Sequence, residues 1–133
     1  MRIAIAFGGG KESLQLVEML SDKNPLLITC FDSEDERKYK DRLQEMADSA
    51  NLKIIFIRGD GFKENWEWDT GTDEIKYDNT ILKHYRNNGE EKPFDILYVG
   101  RRAKDILKRC GVPLKDLPKQ LNIEGVRFPL WLK

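Results

Sequence analysis

Three consecutive glycines, Gly8-Gly9-Gly10, separate a run of apolar residues from an amphipathic segment, and that junction restricts the chain more than any other stretch. Ile3-Ala4-Ile5-Ala6-Phe7 is short, continuously apolar and partly β-branched, the pattern of a strand buried on both faces of a parallel sheet. From Lys11 onward Leu14, Val17, Met19 and Leu20 recur at roughly helical spacing, so the glycines fall at a helix N-terminus. Glycine admits torsions closed to other residues and has no Cβ to obstruct an approaching group. Unpaired amides and the positive end of the helix dipole favour an anion there. Lys11 and Ser13 add a cation and a hydroxyl, and phosphate is the expected anion. A lone glycine turn is a common plain βα connection; the lysine and serine beside this one favour the phosphate reading.

The same alternation continues. Asp22-Lys23-Asn24-Pro25 breaks the first helix, and Leu26-Leu27-Ile28-Thr29-Cys30-Phe31 reads as a second buried strand ending at Asp32. Ser33-Glu34-Asp35-Glu36 has the form of a capping box, followed by Tyr39, Leu43, Met46, Ala47 and Ala50 at helical spacing. Asn51 closes that helix, and Leu52 to Ile57 form a third strand ending at Arg58-Gly59-Asp60-Gly61.

From Gly59 to Thr72 no period holds, and the reading there is a long loop carrying Phe62, Trp66 and Trp68. The two indoles form either a lid or stacking surface for a substrate ring or plain packing against the sheet edge. Asp73 is expected to cap a third helix with Ile75, Ile81, Leu82 and Tyr85 on its apolar side and Asn87-Asn88-Gly89 as its exit. His84, the single histidine, has no second metal ligand at useful spacing and reads as a surface or satisfied side chain. Phe94 to Val99 form a fourth strand running into Gly100-Arg101-Arg102 and a helix through Cys110, stopped by Gly111. Val112 to Asn122 reads as a turn and short helical segment with Leu114, Leu117 and Leu121 facing in, and Val126 to Lys133 as a fifth strand or an extended arm, with Pro129 marking a strand end.

With 133 residues and no repeats, the chain is expected to form one domain over 1–133, long enough to bury a core. The expected fold is α/β: a Rossmann-like three-layer α/β/α arrangement around a mainly parallel five-stranded sheet. Right-handed crossovers put the loops after Phe7, Phe31 and Val99 at the carboxyl ends of their strands, where such sheets bind ligands. The glycine run, Asp32 and Arg101 then converge. Lysine plus arginine and aspartate plus glutamate number 23 each, so net charge does not indicate nucleic acid or an acidic membrane as a partner. Cys30 and Cys110 form no C-x-x-C pair, which argues against a zinc ribbon or dithiol motif. No apolar run approaches the roughly 18 residues that span a bilayer, and the N-terminal residues lack a signal-peptide layout; the expected location is cytoplasmic, with no membrane partner.

The loop is neither a Walker A sequence nor Gly-x-Gly-x-x-Gly, whose last position falls on Ser13. With Gly8-Gly9-Gly10-Lys11-Glu12-Ser13 after the first strand and Gly100-Arg101-Arg102 after the fourth, the chain resembles the PP-loop ATP pyrophosphatases, the adenine nucleotide alpha hydrolase-like family, whose signature is Ser-Gly-Gly-x-Asp-Ser. The terminal Phe128-Pro129-Leu130-Trp131 looks like the close of the diphthine-ammonia ligase branch. The resemblance spans nearly the whole chain, and only its first motif is specific. It implies that Gly8, Gly9, Gly10, Lys11, Glu12 and Ser13, with Phe7, surround ATP phosphates. Ala6 and Phe31 would lie near the adenine, held through backbone groups at the ends of the first two strands.

The activity implied is transfer of AMP to a substrate oxygen with release of pyrophosphate. Lys11 and Arg101 would neutralise phosphate charge as the catalytic pair, beside Gly100, while Mg²⁺ would meet Glu12 or Asp32 directly or through water. Arg102 would either aid Arg101 or form a salt bridge. Two departures stand out: Gly8 replaces the first serine and Glu12 replaces the aspartate. The chain here ends at Lys133, where many relatives continue into a substrate domain. The unknown acceptor is then recognised by the core, by the tryptophan loop, by a second copy as a homodimer or by another protein. The alternatives are a non-catalytic adenine-nucleotide sensor or regulatory module, and a phosphoadenylyl sulfate reductase-like protein, which would need a reactive cysteine after Cys110.

Overall fold

A computed structural model describes residues 1–69, 71–72, 74–110 and 123–133. The chain begins with β1 (Ile3–Ala6), α1 (Lys11–Leu20) and a 3-10 turn (Ser21–Lys23), then β2 (Leu26–Phe31), α2 (Ser33–Ser49) and β3 (Ile54–Arg58). It continues through β4 (Glu64–Asp69), β5 (Glu74–Asn79), α3 (Thr80–Asn88), β6 (Ile96–Tyr98), α4 (Ala103–Cys110) and β7 (Val126–Arg127). Five strands make one sheet, in the order β3-β2-β1-β6-β7, and every neighbouring pair is parallel. Ala4 at its centre pairs with Leu26 on one side and Leu97 on the other.

The apolar runs become central strands because their side chains are buried in two core clusters. Ile3, Ile5, Leu27 and Phe31 pack with Leu16 and Leu20 of α1 and Leu43 and Ala47 of α2. Ala4, Ile28, Ile57 and Leu97 pack instead with Ile81 and Tyr85 of α3, Ala103 and Ile106 of α4, and Trp66. Helix ends follow their local chemistry. Asn51 has φ 56° and its amide donates to the Asp48 carbonyl at 3.0 Å, a left-handed exit from α2. Gly89 ends α3 in the same way, with φ 64°.

The region after β3 corrects the expected loop and helix. β4 and β5 form an antiparallel hairpin in which Trp66 faces Tyr77 and Trp68 faces Ile75. α3 starts at Thr80, not before Ile75, and its N-cap is Asn79, whose Oδ1 accepts from the Leu82 amide at 3.0 Å. Asp73, the expected cap, lies outside the described residues, as do the Gly111 stop and the 112–122 segment. The physical reason for the hairpin is burial. Trp66 is only 9% exposed, and its ring lies 4.4 Å from Tyr77, 5.5 Å from Phe128 and 6.2 Å from Trp131 between centroids. Such pairs contribute about 0.5–1.5 kcal/mol each beyond area burial. Of the two roles considered for the indoles, Trp66 has the packing one.

Two smaller differences matter for the site. Helix α2 is capped by Asp32, one residue before the expected capping-box serine: Asp32 Oδ1 accepts from the Asp35 amide at 2.7 Å. Glu36 is thereby free of a capping role and binds Arg58 at 2.6 and 2.9 Å, which holds its carboxyl below the usual range. At the end of the chain β7 is only two residues long. Beyond it the backbone turns, so that Leu130 joins the core beside α1 and α2 while Phe128 and Trp131 join the other cluster.

Candidate functional site

β1 and β6 are neighbours, yet the chain leaves β1 toward β2 and leaves β6 toward β7. This divergence is a topological switch point, and it is at the carboxyl ends of the strands beside such a point that open α/β sheets bind ligands. Gly8-Gly9-Gly10 follows β1 on this edge and Gly100-Arg101-Arg102 follows β6. The two loops meet: a Cβ on Gly100 would lie 2.9 Å from Glu12 Cβ and 3.3 Å from the Glu12 carbonyl carbon, so Gly100 lets β6 press against the first turn of α1.

The glycines of the run differ from one another. Gly9 has φ +74° and a Cβ there would meet Leu43 Cδ2 at 2.5 Å, so it fits the loop against α2. Around Gly8 and Gly10 a Cβ would meet nothing within 4 Å. Gly10 is the N-cap of α1 and offers no side-chain bond to the first amides, which leaves the positive end of the helix open to an anion. Lys11 is exposed and is paired with no carboxylate among the described residues. Ser13 is turned inward: it is buried, and its hydroxyl donates to the Gly10 carbonyl at 3.1 Å. Glu12 is part-exposed, with Oε1 3.9 Å from Arg102 Nε.

The remaining expected residues are already engaged. Ala6 is the half-buried last residue of β1. The Phe7 amide donates to the Ile28 carbonyl at 2.9 Å, and the Phe7 carbonyl accepts from the Thr29 hydroxyl. The Phe31 carbonyl accepts from the Gly59 amide at 2.9 Å, while its ring stacks on Phe56. A carbonyl keeps a second lone pair after one such bond, so both strand ends retain an acceptor. Asp32 is held by its capping role. Among the described residues no three His, Cys, Asp or Glu side chains cluster to hold a metal ion. Magnesium is commonly bound through one or two carboxylates together with substrate phosphates; Glu12 fits such a single contact, and Asp32 fits it less well because one oxygen is committed.

Arg101 is the residue whose surroundings the sequence did not foretell. Its Nε lies 2.7 Å from Glu64 Oε2, and the Glu64 side chain is 1% exposed. The Tyr77 hydroxyl donates to Glu64 Oε1 at 3.1 Å and the Trp66 indole to Oε2 at 3.4 Å. Burial first, then the Glu64 charge, push the Tyr77 phenol well above its ordinary range, so it remains a donor. Arg102 is used differently: it donates to the Lys133 carbonyl at 2.7 Å. Glu64 also lines a cleft of about 430 Å³ at the end of β3, together with Asp60, Lys63, Asn79, Lys83 and His84. A period-2 pattern from Glu64 through Trp68, repeated from Glu74 through Tyr77, was the signal for this hairpin.

Cys30 is buried and its thiol is pushed up to about 12 by that burial, which makes it a packing residue and not a nucleophile. No helix among the described residues is long and apolar enough to cross a membrane. The chain matches no family model, no curated protein and no solved structure.

Proposed function

We propose that the protein binds ATP in a PP-loop-type site at the switch point and transfers AMP to an acceptor oxygen with release of pyrophosphate. The observation that carries the reading is the uncapped, glycine-lined start of α1 at the carboxyl end of the central strand. Anions bind at such helix ends through free amides and the dipole. The finer fold belongs to the same reading: a three-layer Rossmann-like α/β/α domain, supported by two core clusters that use alternate residues of β1.

In this reading the first amides of α1 and Lys11 hold the phosphates, while Ala6 and Phe31 border the base. Arg101 takes charge that moves onto pyrophosphate as the acceptor oxygen bonds to the α-phosphorus and the bond to the β-phosphate oxygen breaks. The catalysis is positional and electrostatic. Magnesium, when bound through the phosphates, would add charge neutralisation, with Glu12, the acidic residue in the first turn of α1, able to hold it. The polar cleft at the end of β3 offers room for the acceptor on the same edge of the sheet.

The test is to incubate the protein with Mg²⁺ and ATP labelled at the α-phosphate, measuring binding alongside AMP and pyrophosphate. Binding is expected, and Lys11→Ala should weaken it by about tenfold or more, the loss of one charge-assisted contact of roughly 1.5–3 kcal/mol. Absence of binding sinks the site. One observation favours a second reading: Arg101 is tied to a buried carboxylate, which offsets the positive charge offered to a leaving group. A non-catalytic adenine-nucleotide sensor fits that arrangement, and binding without turnover across candidate acceptors would select it.

A further inference from the structure

We propose that Glu64 is a positioning residue, which from the hairpin holds the guanidinium of Arg101, the residue after the Gly100 that packs on the first turn of α1; its consequence for nucleotide binding rests on the ATP-site reading above. Glu64 is the first residue of β4, outside the five-stranded sheet, and its carboxylate is 1% exposed. Hairpin formation alone does not call for a buried charge. Burying one is costly unless it is paired and hydrogen-bonded, and a pairing partner here is the arginine of the other switch-point loop.

The geometry shows which partner constrains the other. Glu64 accepts from Tyr77 across the hairpin and from Trp66 two residues on. The Asn79 amide group donates to the Tyr77 oxygen at 2.9 Å, and Asn79 itself caps α3. Trp66 is walled in by Tyr77, Phe128 and Trp131. The carboxylate is thus fixed by packed residues of β4, β5 and α3. Arg101 instead extends a long, rotamer-rich side chain from a loop and is 30% exposed.

An unanchored arginine loses conformational freedom when it meets a ligand. One held at Nε has lost much of it beforehand. The guanidinium carries five N–H donors and the side chain keeps 30% of its exposure, so the Glu64 contact leaves donors for an anion. Gly100, the residue before Arg101, touches the first turn of α1, so the anchored group is rooted next to the cradle. Arg102, one residue further, is bound to the Lys133 carbonyl and serves as the internal contrast.

The experiment combines two measurements on the full chain. Calorimetric titration with MgATP is performed on the wild type, Glu64→Gln, Arg101→Ala, Lys11→Ala and the doubles of Glu64→Gln with each of the other two. Glu64→Gln keeps the side-chain volume and an acceptor for Tyr77, and circular dichroism with thermal melting reports whether it folds. It should lose about tenfold in affinity, should cost nothing further in the Arg101→Ala background, and should add fully to Lys11→Ala. Wild-type affinity in folded Glu64→Gln, or full additivity with Arg101→Ala, overturns the proposal.

The second measurement needs no nucleotide. The Arg101 Nε–H resonance, assigned by its disappearance in Arg101→Lys, should exchange slowly with solvent in the wild type and rapidly in Glu64→Gln. If the wild type fails to bind ATP, the nucleotide reading falls and this resonance alone decides the positioning role. Protection lost in Glu64→Gln sustains it, and a wild-type Nε–H without protection overturns it. Should Glu64→Gln not fold, Glu64→Asp, which keeps the charge on a shorter arm, replaces it in both measurements with the same expected signs.

Discussion

Two glycine-containing loops open on the same edge of the sheet, and they are filled in opposite ways. The loop after β1 ends in a helix start with no side-chain cap and has empty space beside Gly8 and Gly10. The loop after β6 is occupied: Gly100 abuts Glu12, Arg101 is bound to Glu64, and Arg102 is bound to the Lys133 carbonyl. The first loop leaves the helix start without a side-chain cap, whereas the arginines of the second are engaged in internal contacts. A glycine beside a basic residue therefore does not by itself indicate a ligand; the difference lies in what the rest of the fold brings to it.

The largest expected effect tests how firmly the second loop is held. Glu64→Ala leaves the Arg101 guanidinium, the Tyr77 hydroxyl and the Trp66 indole without this acceptor. Two buried donors left without an acceptor cost about 1–3 kcal/mol each, and the 30% exposed arginine left unpaired adds less, so the loss should be about 3–5 kcal/mol, measurable by urea denaturation. A loss below about 1 kcal/mol, the range of an exposed pair, would mean that the β6 loop is as free as the β1 loop, and the contrast would fail.

Gly9→Ala comes next and probes the only closed position in the open loop. A φ of +74° costs a residue with a Cβ about 1–2 kcal/mol, and the new methyl would lie 2.5 Å from Leu43 Cδ2. Leu43 is 3% exposed and has little room to yield, so overpacking adds about 1–3 kcal/mol. Gly100→Ala should cost about 1–3 kcal/mol by overpacking alone, because its φ is not positive. Its contact is with the backbone of α1, so the mutation should also displace the cradle and weaken MgATP binding. Equal stability of Gly9→Ala and wild type would remove the distinction drawn within the glycine run.

These positions also show what the sequence could reveal. β1, α1, β2, α2 and β3 were legible because each signal is local: apolar runs, helical spacing and Asn51 as a left-handed exit. The two switch-point loops were legible for the same reason. The hairpin reads locally as a loop and the start of a helix because Trp66 and Trp68 stand among charged residues, and alternation is weak evidence when the apolar face is only two or three residues long. Its partners, Phe128 and Trp131, come from the far end of the chain. Glu64 was missed on the same account, since its role depends on Arg101, which no local pattern connects to it. Asp32 shows a finer limit: Asp and Ser are both good N-caps, and adjacent candidates differ by one residue in a way that only tertiary contacts decide.

The smallest effects on stability are the sharpest on function, because they fill the open loop without disturbing it. Gly8→Ser introduces a hydroxyl where a Cβ meets nothing within 4 Å and φ is not positive, so stability should change by less than about 0.5 kcal/mol. If the loop holds phosphate, that hydroxyl adds a donor and MgATP should bind more tightly. Gly10→Ser should act with the opposite sign. Gly10 already has the extended conformation of an N-cap, φ −82° and ψ 177°, so a serine there would bond the first-turn amides and stabilise α1 by a few tenths of a kcal/mol. Those are the amides proposed to bind phosphate, and satisfying them internally should weaken MgATP binding while the melting temperature rises slightly. The pair separates an anion site from a plain glycine turn: in a plain turn both substitutions would leave nucleotide titrations unchanged, and only Gly10→Ser would shift the melting temperature.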